Sequence, residues 1–371
     1  MPERTAPPFR ADHVGSLLRP PALLDARRRR AAGEISAAQL REAEDAAILE
    51  AVRRQEALGL AAVTDGEFRR TWFHLDFLQE FSNVEVGLSP MKARFQTASG
   101  EIEMQPPALK IVGPISRPHP IFVDDFSYLR SVATAMPKLT LPSPSMMHFR
   151  GGRRAIDTNI YPEISVFYAD LARAYADEIR DLAAAGCRYV QLDEVNLAYL
   201  CDPALAAHVR SVGEDPATLP KTYAALINAS IAGRPDDMVV CMHLCRGNFQ
   251  SGWVASGGYD PVAELLFNGI DVDGYFLEYD SPRAGGFTPL RFVPKGKTIV
   301  LGLVSSKHGK LESKDELKRR IDEASRYVPL NQLALSPQCG FSSTVEGNVL
   351  GIEDQYAKLR LVVEVAREVW G

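Results

Sequence analysis

Residues 162–194, PEISVFYADLARAYADEIRDLAAAGCRYVQLDE, decide the fold. A helical pattern from Pro162 to Ala185 is followed by a β-rich run ending at Leu192, with Asp193 and Glu194 just beyond it. The same alternation recurs outward in both directions. Strand-like runs end at Val14, Thr64, Leu141, Met242, Leu277, Leu303 and Leu335. Helical patterns cover Leu219 to Ala232, Pro261 to Phe267, Lys314 to Arg326 and Glu353 to Trp370, and another reaches from an N-cap at Ser36 to Leu58, with Gly59 as its C-cap. Strand and helix in alternation imply a parallel sheet. Eight such units imply an α/β fold of the (β/α)₈ TIM barrel type, one domain over residues 1–371. The stretch from Asn83 to Pro118, centred on Ala108–Val112, breaks the alternation and reads as a hairpin-like insertion between the second and third barrel strands.

Composition narrows the class. The net charge is −5, with 46% apolar and 24% charged residues, as expected of a soluble globular chain. Mild acidity argues against a nucleic-acid partner, which wants a basic stripe. No apolar run approaches the roughly 20 residues that span a bilayer, and Met1–Arg10 lacks the apolar core of a secretory signal. Five cysteines, an odd number, suit a reducing cytoplasm better than a disulfide framework. The run Arg27–Arg30 reads as a solvated helix flank.

Reactive side chains gather just after the predicted strand ends: Ser16, Asp65 and Glu67, Asp193 and Glu194, His243 and Cys245, Glu278, Lys307 and His308, Cys339. In a barrel those ends form the catalytic face. In extended backbone, residues two apart share a side, so His243 and Cys245 present imidazole and thiolate together. Alone that pair is a weak metal signal. With Glu278 and Cys339 at later strand ends it becomes a complete four-ligand set for Zn²⁺. Cys241 lies one pleat deeper and reads as core, Cys187 and Cys201 as structural, and His13 as either pocket lining or packing. Two thiolates, a carboxylate and a neutral imidazole leave zinc electron-rich. Such a centre is poor at making hydroxide but able to hold an incoming thiol as a nucleophilic thiolate. A structural zinc usually draws its ligands from short local loops, whereas these span His243 to Cys339.

These residues, in this order, resemble the catalytic C-terminal domain of the cobalamin-independent methionine synthase family, over nearly the whole chain. Val14-Gly15-Ser16 is similar to the family's first-strand turn at the amino-acid thiol. Asp65-Gly66-Glu67 is similar to the segment whose carboxylate meets the homocysteine amino group, and Gln191-Leu192-Asp193-Glu194 to the strand whose Asp also binds homocysteine. Pro106-Pro107 and Ile115–Pro118 recur in the insertion, and His243-Leu-Cys245, Glu278 and Cys339-Gly340 match the zinc ligands. The resemblance implies a zinc-dependent S-methyltransferase of the 5-methyltetrahydropteroyltriglutamate–homocysteine methyltransferase kind, making methionine.

Its departures lie mainly on the donor side. The family's N-terminal half has no counterpart here. Ile102 or a neighbour stands where full-length enzymes carry Arg, Tyr199 replaces an acid, and Leu141–Met147 contains no Trp. The family's proton-donating His falls at Lys307, with His308 next to it. The methyl donor therefore stays open between methyltetrahydrofolate, methylcobalamin and a small thioether or sulfonium compound. Single-barrel relatives also include the epoxyalkane:coenzyme M transferases. Glu67 and Asp193 suit an ammonium group better than a sulfonate, while Arg69, Arg70 and Arg246 keep the sulfonate open. A zinc or thiol sensor and a metal-free decarboxylase are the remaining rivals, and neither needs the whole reactive face. The expected partners are a small-molecule thiol acceptor and a methyl donor, with no nucleic acid and no membrane; a homo-oligomer or a methyl-carrier protein is compatible.

Overall fold

The computed structural model describes residues 4–89, 92–98 and 100–371. Its strands, in chain order, are β1 Ala62–Val63, β2 Val84–Leu88, β3 Ala93–Thr97, β4 Gly100–Met104, β5 Pro107–Ile111, β6 Met136–Pro137, β7 Leu139–Pro142, β8 Tyr189–Glu194, β9 Val239–Leu244, β10 Gly274–Glu278, β11 Thr298–Val304 and β12 Leu333–Pro337. β7 to β12 form one parallel sheet in sequential order, and β1 pairs in parallel with β6. Nearly every residue of these strands is buried, which is why they read as unbroken apolar runs rather than alternating ones. Helices supply the cover. Ile164–Ala184 buries Phe167, Leu171, Tyr175, Ile179 and Leu182 at helical spacing and packs beside Leu219–Ile231.

Several strands run one or two residues further than expected. β8 includes Asp193 and Glu194, β9 includes His243 and β10 ends on Glu278, because the ladder hydrogen bonds continue past the apolar run. The run expected to end at Val14 is not a strand. One parallel bridge joins Ala11 to Leu335, and thereafter side chains replace the ladder. The Lys138 ammonium donates to His13 O at 2.6 Å, Gln191 Nε2 to Val14 O at 2.7 Å and Thr64 Oγ1 to Gly15 O at 2.6 Å. His13 packs in this layer, 1% exposed, and burial followed by the neighbouring Lys138 cation lowers its pKa to about 4. Cys187, Cys201 and Cys241 are buried free thiols.

Between β1 and β6 the chain forms two antiparallel pairs, β2 with β5 and β3 with β4. Phe95 is the buried residue of the outer pair. It draws β3 against residues 249–253, where Gln96 and Trp253 exchange backbone hydrogen bonds of 2.8 and 2.9 Å.

Candidate active site

The parallel register sets Asp193 directly beside His243, so the two side chains rise from the same face at neighbouring strand ends. Cys245 follows two residues after His243, Glu278 closes β10, and Cys339 stands just beyond β12. All four of His243, Cys245, Glu278 and Cys339 are buried, and their ligand atoms lie within 4.8 Å of one another. The sulfurs of Cys245 and Cys339 are 3.4 Å apart, well beyond a disulfide bond. His243 Nδ1 donates to the Phe276 carbonyl at 3.3 Å, which fixes the tautomer and leaves Nε2 as a bare acceptor. That Nε2 is buried without a partner, a costly arrangement that a cation would relieve. Donor set and orphaned nitrogen together fit a metal ion of the zinc type.

The surrounding charges prepare the ligands. A hydrogen bond from Cys245 brings the Cys339 thiol down to about 5 against the effect of burial. The same bond, reinforced by burial, pushes Cys245 up. Burial would raise Glu278, but the Arg283 and Lys307 cations lead the effects that outweigh it and hold the carboxyl below its ordinary range. Its two oxygens accept from Arg246 N at 2.9 Å and Arg283 Nη2 at 3.1 Å.

Beside this cluster lies a cavity lined at one end by Val14, Ser16, Glu67 and Asp193. Glu67 Oε1 accepts from Thr140 Oγ1 at 2.8 Å, while Oε2 is buried and unpartnered. Asp193 Oδ1 accepts from Gln191 Nε2 at 2.7 Å. Burial first, and the Glu67 charge second, raise Asp193 to about 7; burial likewise raises Glu67. Arg70 Nη1 lies 3.7 Å from Glu67 Oε1 and offsets part of this charge, while Glu67 Oε2 is left without a donor. Glycine shapes this end: at Gly15, φ is +138° and a Cβ would lie 2.6 Å from Thr140 Cγ2, while a Cβ on Gly340 would lie 2.0 Å from Ser16 Oγ.

The Asp193 shift has a testable sign. Because its folded pKa exceeds the ordinary carboxyl value near 3.9, the folded state keeps a proton the unfolded state has lost. Stability of the metal-free protein is expected to fall as pH rises from about 4 to about 7 and then level. Asp193→Asn should flatten that slope in denaturant titrations; an unchanged slope would refute the assignment.

The opposite wall is aromatic. Trp72 and Phe249 stack with centroids 6.4 Å apart and planes 13° apart, Phe95 meets Phe249 at 5.4 Å, and Phe73 and Tyr199 complete the surface. Apart from Tyr199, sequence reasoning did not pick out these residues. They come from separated loops with no shared motif. Arg150 also lines the cavity. None of the cationic candidates named from sequence lines the cavity. Arg69 is held by Asp45 and Asp125 at 2.6 and 2.8 Å, Arg70 donates to Thr140 O at 2.8 Å and lies 3.7 Å from Glu67 Oε1, and Arg246 stacks on Tyr259. Lys307 Nζ is engaged by Gly252 O, Asn248 Oδ1 and Gly247 O at 2.9, 3.2 and 3.4 Å, and His308 is exposed; neither lines the cavity.

The structure is a parallel α/β scaffold that carries, at its strand ends, a cysteine-rich cluster whose donors fit a metal ion. The chain belongs to the cobalamin-independent synthase family, whose catalytic-domain profile matches residues 9–368. It is 48% identical over 366 residues to YxjH, an uncharacterized protein of Bacillus subtilis, covering 98% of this chain and 95% of that one. A solved structure of a putative vitamin-B12-independent methionine synthase from Listeria monocytogenes superposes with a TM-score of 0.77 at 39% identity, covering 99% and 100% of the two chains. A 5-methyltetrahydropteroyltriglutamate–homocysteine methyltransferase of Ralstonia pickettii is 24% identical over 355 residues, which are 94% of this chain and 41% of that protein.

Proposed function

We propose that this protein is a zinc-dependent S-methyltransferase that methylates the sulfur of homocysteine to give methionine. The observation that carries the reading is the His243, Cys245, Glu278 and Cys339 cluster with its orphaned imidazole nitrogen, set beside a buried carboxylate pair. These four residues would hold zinc, which when bound lowers the pKa of a thiol and keeps it nucleophilic. The protein's own groups do the rest. Glu67 and Asp193 would bind the ammonium of the acceptor, which would give the unpartnered Glu67 Oε2 a donor, and the backbone at Val14–Ser16 would bound its other side. The aromatic wall excludes water from the reacting sulfur. Lys307, with its ammonium spent on three oxygens, serves the 247–252 loop as a clamp in this reading.

The same reading takes the parallel segments as a single (β/α)₈ barrel over residues 1–371, closed where the Ala11–Leu335 bridge and the Thr64–Gly15 bond span the gaps between ladders. The five free thiols suit a reducing cytoplasm. X-ray absorption at the zinc edge tests the central claim. Two sulfur neighbours in the resting protein and a third after adding homocysteine are expected. Metal-loaded protein with no sulfur ligation would overturn it.

Tyr259 gives a second test. Its hydroxyl accepts from Glu278 N at 3.1 Å and lies 3.5 Å from both Leu244 O and Glu278 O, pinning the ends of β9 and β10 where ligands emerge. Tyr259→Phe should keep the fold and weaken zinc about tenfold, the usual scale for an outer support of a metal site. Chelator competition would measure it, and equal affinity would remove Tyr259 from the site.

A further inference from the structure

Arg19 stands between the Val14–Ser16 segment and the first helix, Pro21–Ala31, and is 4% exposed. Burial lowers its pKa to about 10, which leaves it a cation at neutral pH. Among the described residues it has no ion pair. Its hydrogen bonds go instead to two loops from opposite ends of the chain. Nη1 donates to Ser342 O at 2.7 Å, Ser342 Oγ at 2.6 Å and Thr344 O at 3.4 Å, and Nη2 to Glu67 O at 2.8 Å and Arg70 O at 3.0 Å. Both loops border the acceptor end of the cavity. Glu67 belongs to one, and Gly340, Ser343 and Thr344 to the other, which follows Cys339. Arg19 itself does not line the cavity.

Glu67 has φ +59°, a left-handed backbone that disfavours any residue with a Cβ. Its N–H donates to Asp65 Oδ1 at 2.8 Å, and its carbonyl accepts from Arg19 and from Arg70 N at 3.0 Å. Such a conformation persists where the surroundings over-determine it. Relaxation to a negative φ would swing the Cα–Cβ bond, and the carboxylate with it, out of its present line into the cavity. A guanidinium suits this task, because its two Nη groups reach both loops at once and the single nitrogen of lysine cannot. Pro20, next in the chain, narrows the backbone freedom of Arg19 as well.

We propose that Arg19 is a positioning residue for the acceptor: by tying the Glu67 turn to the 340–344 loop, it holds the Glu67 carboxylate where the ammonium of the thiol substrate binds. The assignment rests on the methyltransferase reading, which supplies that ammonium. A double-mutant cycle separates it from a general structural role. The dissociation constant of homocysteine is measured calorimetrically for the unaltered protein, Arg19→Lys, Glu67→Gln and the double variant, all brought to equal zinc content. Arg19→Lys should weaken homocysteine by roughly tenfold or more, the scale of one hydrogen bond to a charged group. In the Glu67→Gln background the same change should cost less than about twofold, since the carboxylate it orients is gone. Equal losses in both backgrounds, or an Arg19→Lys protein that binds as the unaltered one does, would overturn the proposal. If Arg19→Lys fails to fold, Ser342→Ala, which removes one acceptor of Nη1, replaces it in the cycle. A loss of about threefold that vanishes with Glu67→Gln is then expected, on the scale of one hydrogen bond, and no loss or a persistent one overturns the assignment. Homocysteine that failed to bind the unaltered protein would sink the methyltransferase reading and this proposal with it, whereas the other outcomes bear on Arg19 alone.

Discussion

Replacing Cys339 by serine is expected to weaken zinc by more than about a hundredfold, beyond the 10–100-fold that loss of an outer-shell partner costs, and to abolish methyl transfer. The reason is local. Cys339 is the thiol that its surroundings bring down to about 5, so it meets a metal already as thiolate, and serine's hydroxyl cannot ionise there. The fold should survive, because Sγ and Oγ differ little in volume and Cys339 carries no disulfide. Metal content after dialysis against a chelator, read beside circular dichroism, checks both halves. A Cys339→Ser protein that still retains zinc and activity would show that the ligand set is wrong.

Glu67→Gln is expected to raise KM for homocysteine by roughly 10- to 100-fold, the scale of one hydrogen bond to a charged group at 1.5–3 kcal/mol. Its effect on a thiol carrying a sulfonate, such as 2-mercaptoethanesulfonate, should be slight. Equal losses with both would undo the assignment of the carboxylate pair to the ammonium. Two effects on stability oppose each other: losing the charge relieves repulsion of Asp193 but also removes the 3.7 Å ion pair with Arg70. The pair also predicts a proton count. Below pH 7 the acceptor's ammonium would drive Asp193 to ionise, so homocysteine binding should release a proton. Calorimetry in buffers of different ionisation enthalpy would record that release.

Helix and strand placement was legible wherever burial imposes a period. The helix expected over Lys314–Arg326 is observed as Lys314–Ser325, and that expected from Glu353 to Trp370 as Ile352–Trp370. Ser36 caps Ala37–Ala57 with its side chain, as its place before the periodic run implied. The first strand was misjudged for a physical reason. An apolar residue such as Val14 signals burial, but burial can be satisfied by side-chain donors from Lys138, Gln191 and Thr64 as well as by a ladder.

By itself the sequence determined membership of a family and singled out His243, Cys245, Glu278 and Cys339 as an ordered set of candidate ligands. Each lies at the end of an apolar run, and the two-residue spacing of His243 and Cys245 is a local fact of extended backbone. Only the tertiary structure decided what faces them. Trp72, Phe95, Arg150 and Phe249 come from segments far apart in the chain, and nothing periodic marks them. Only the fold also shows that Arg69 and Arg246 are turned to other partners and that Arg70 pairs with Glu67, while Arg150 lines the cavity. Charge and polarity can be read residue by residue, but whether a charge is compensated depends on which distant groups the fold sets within reach of it.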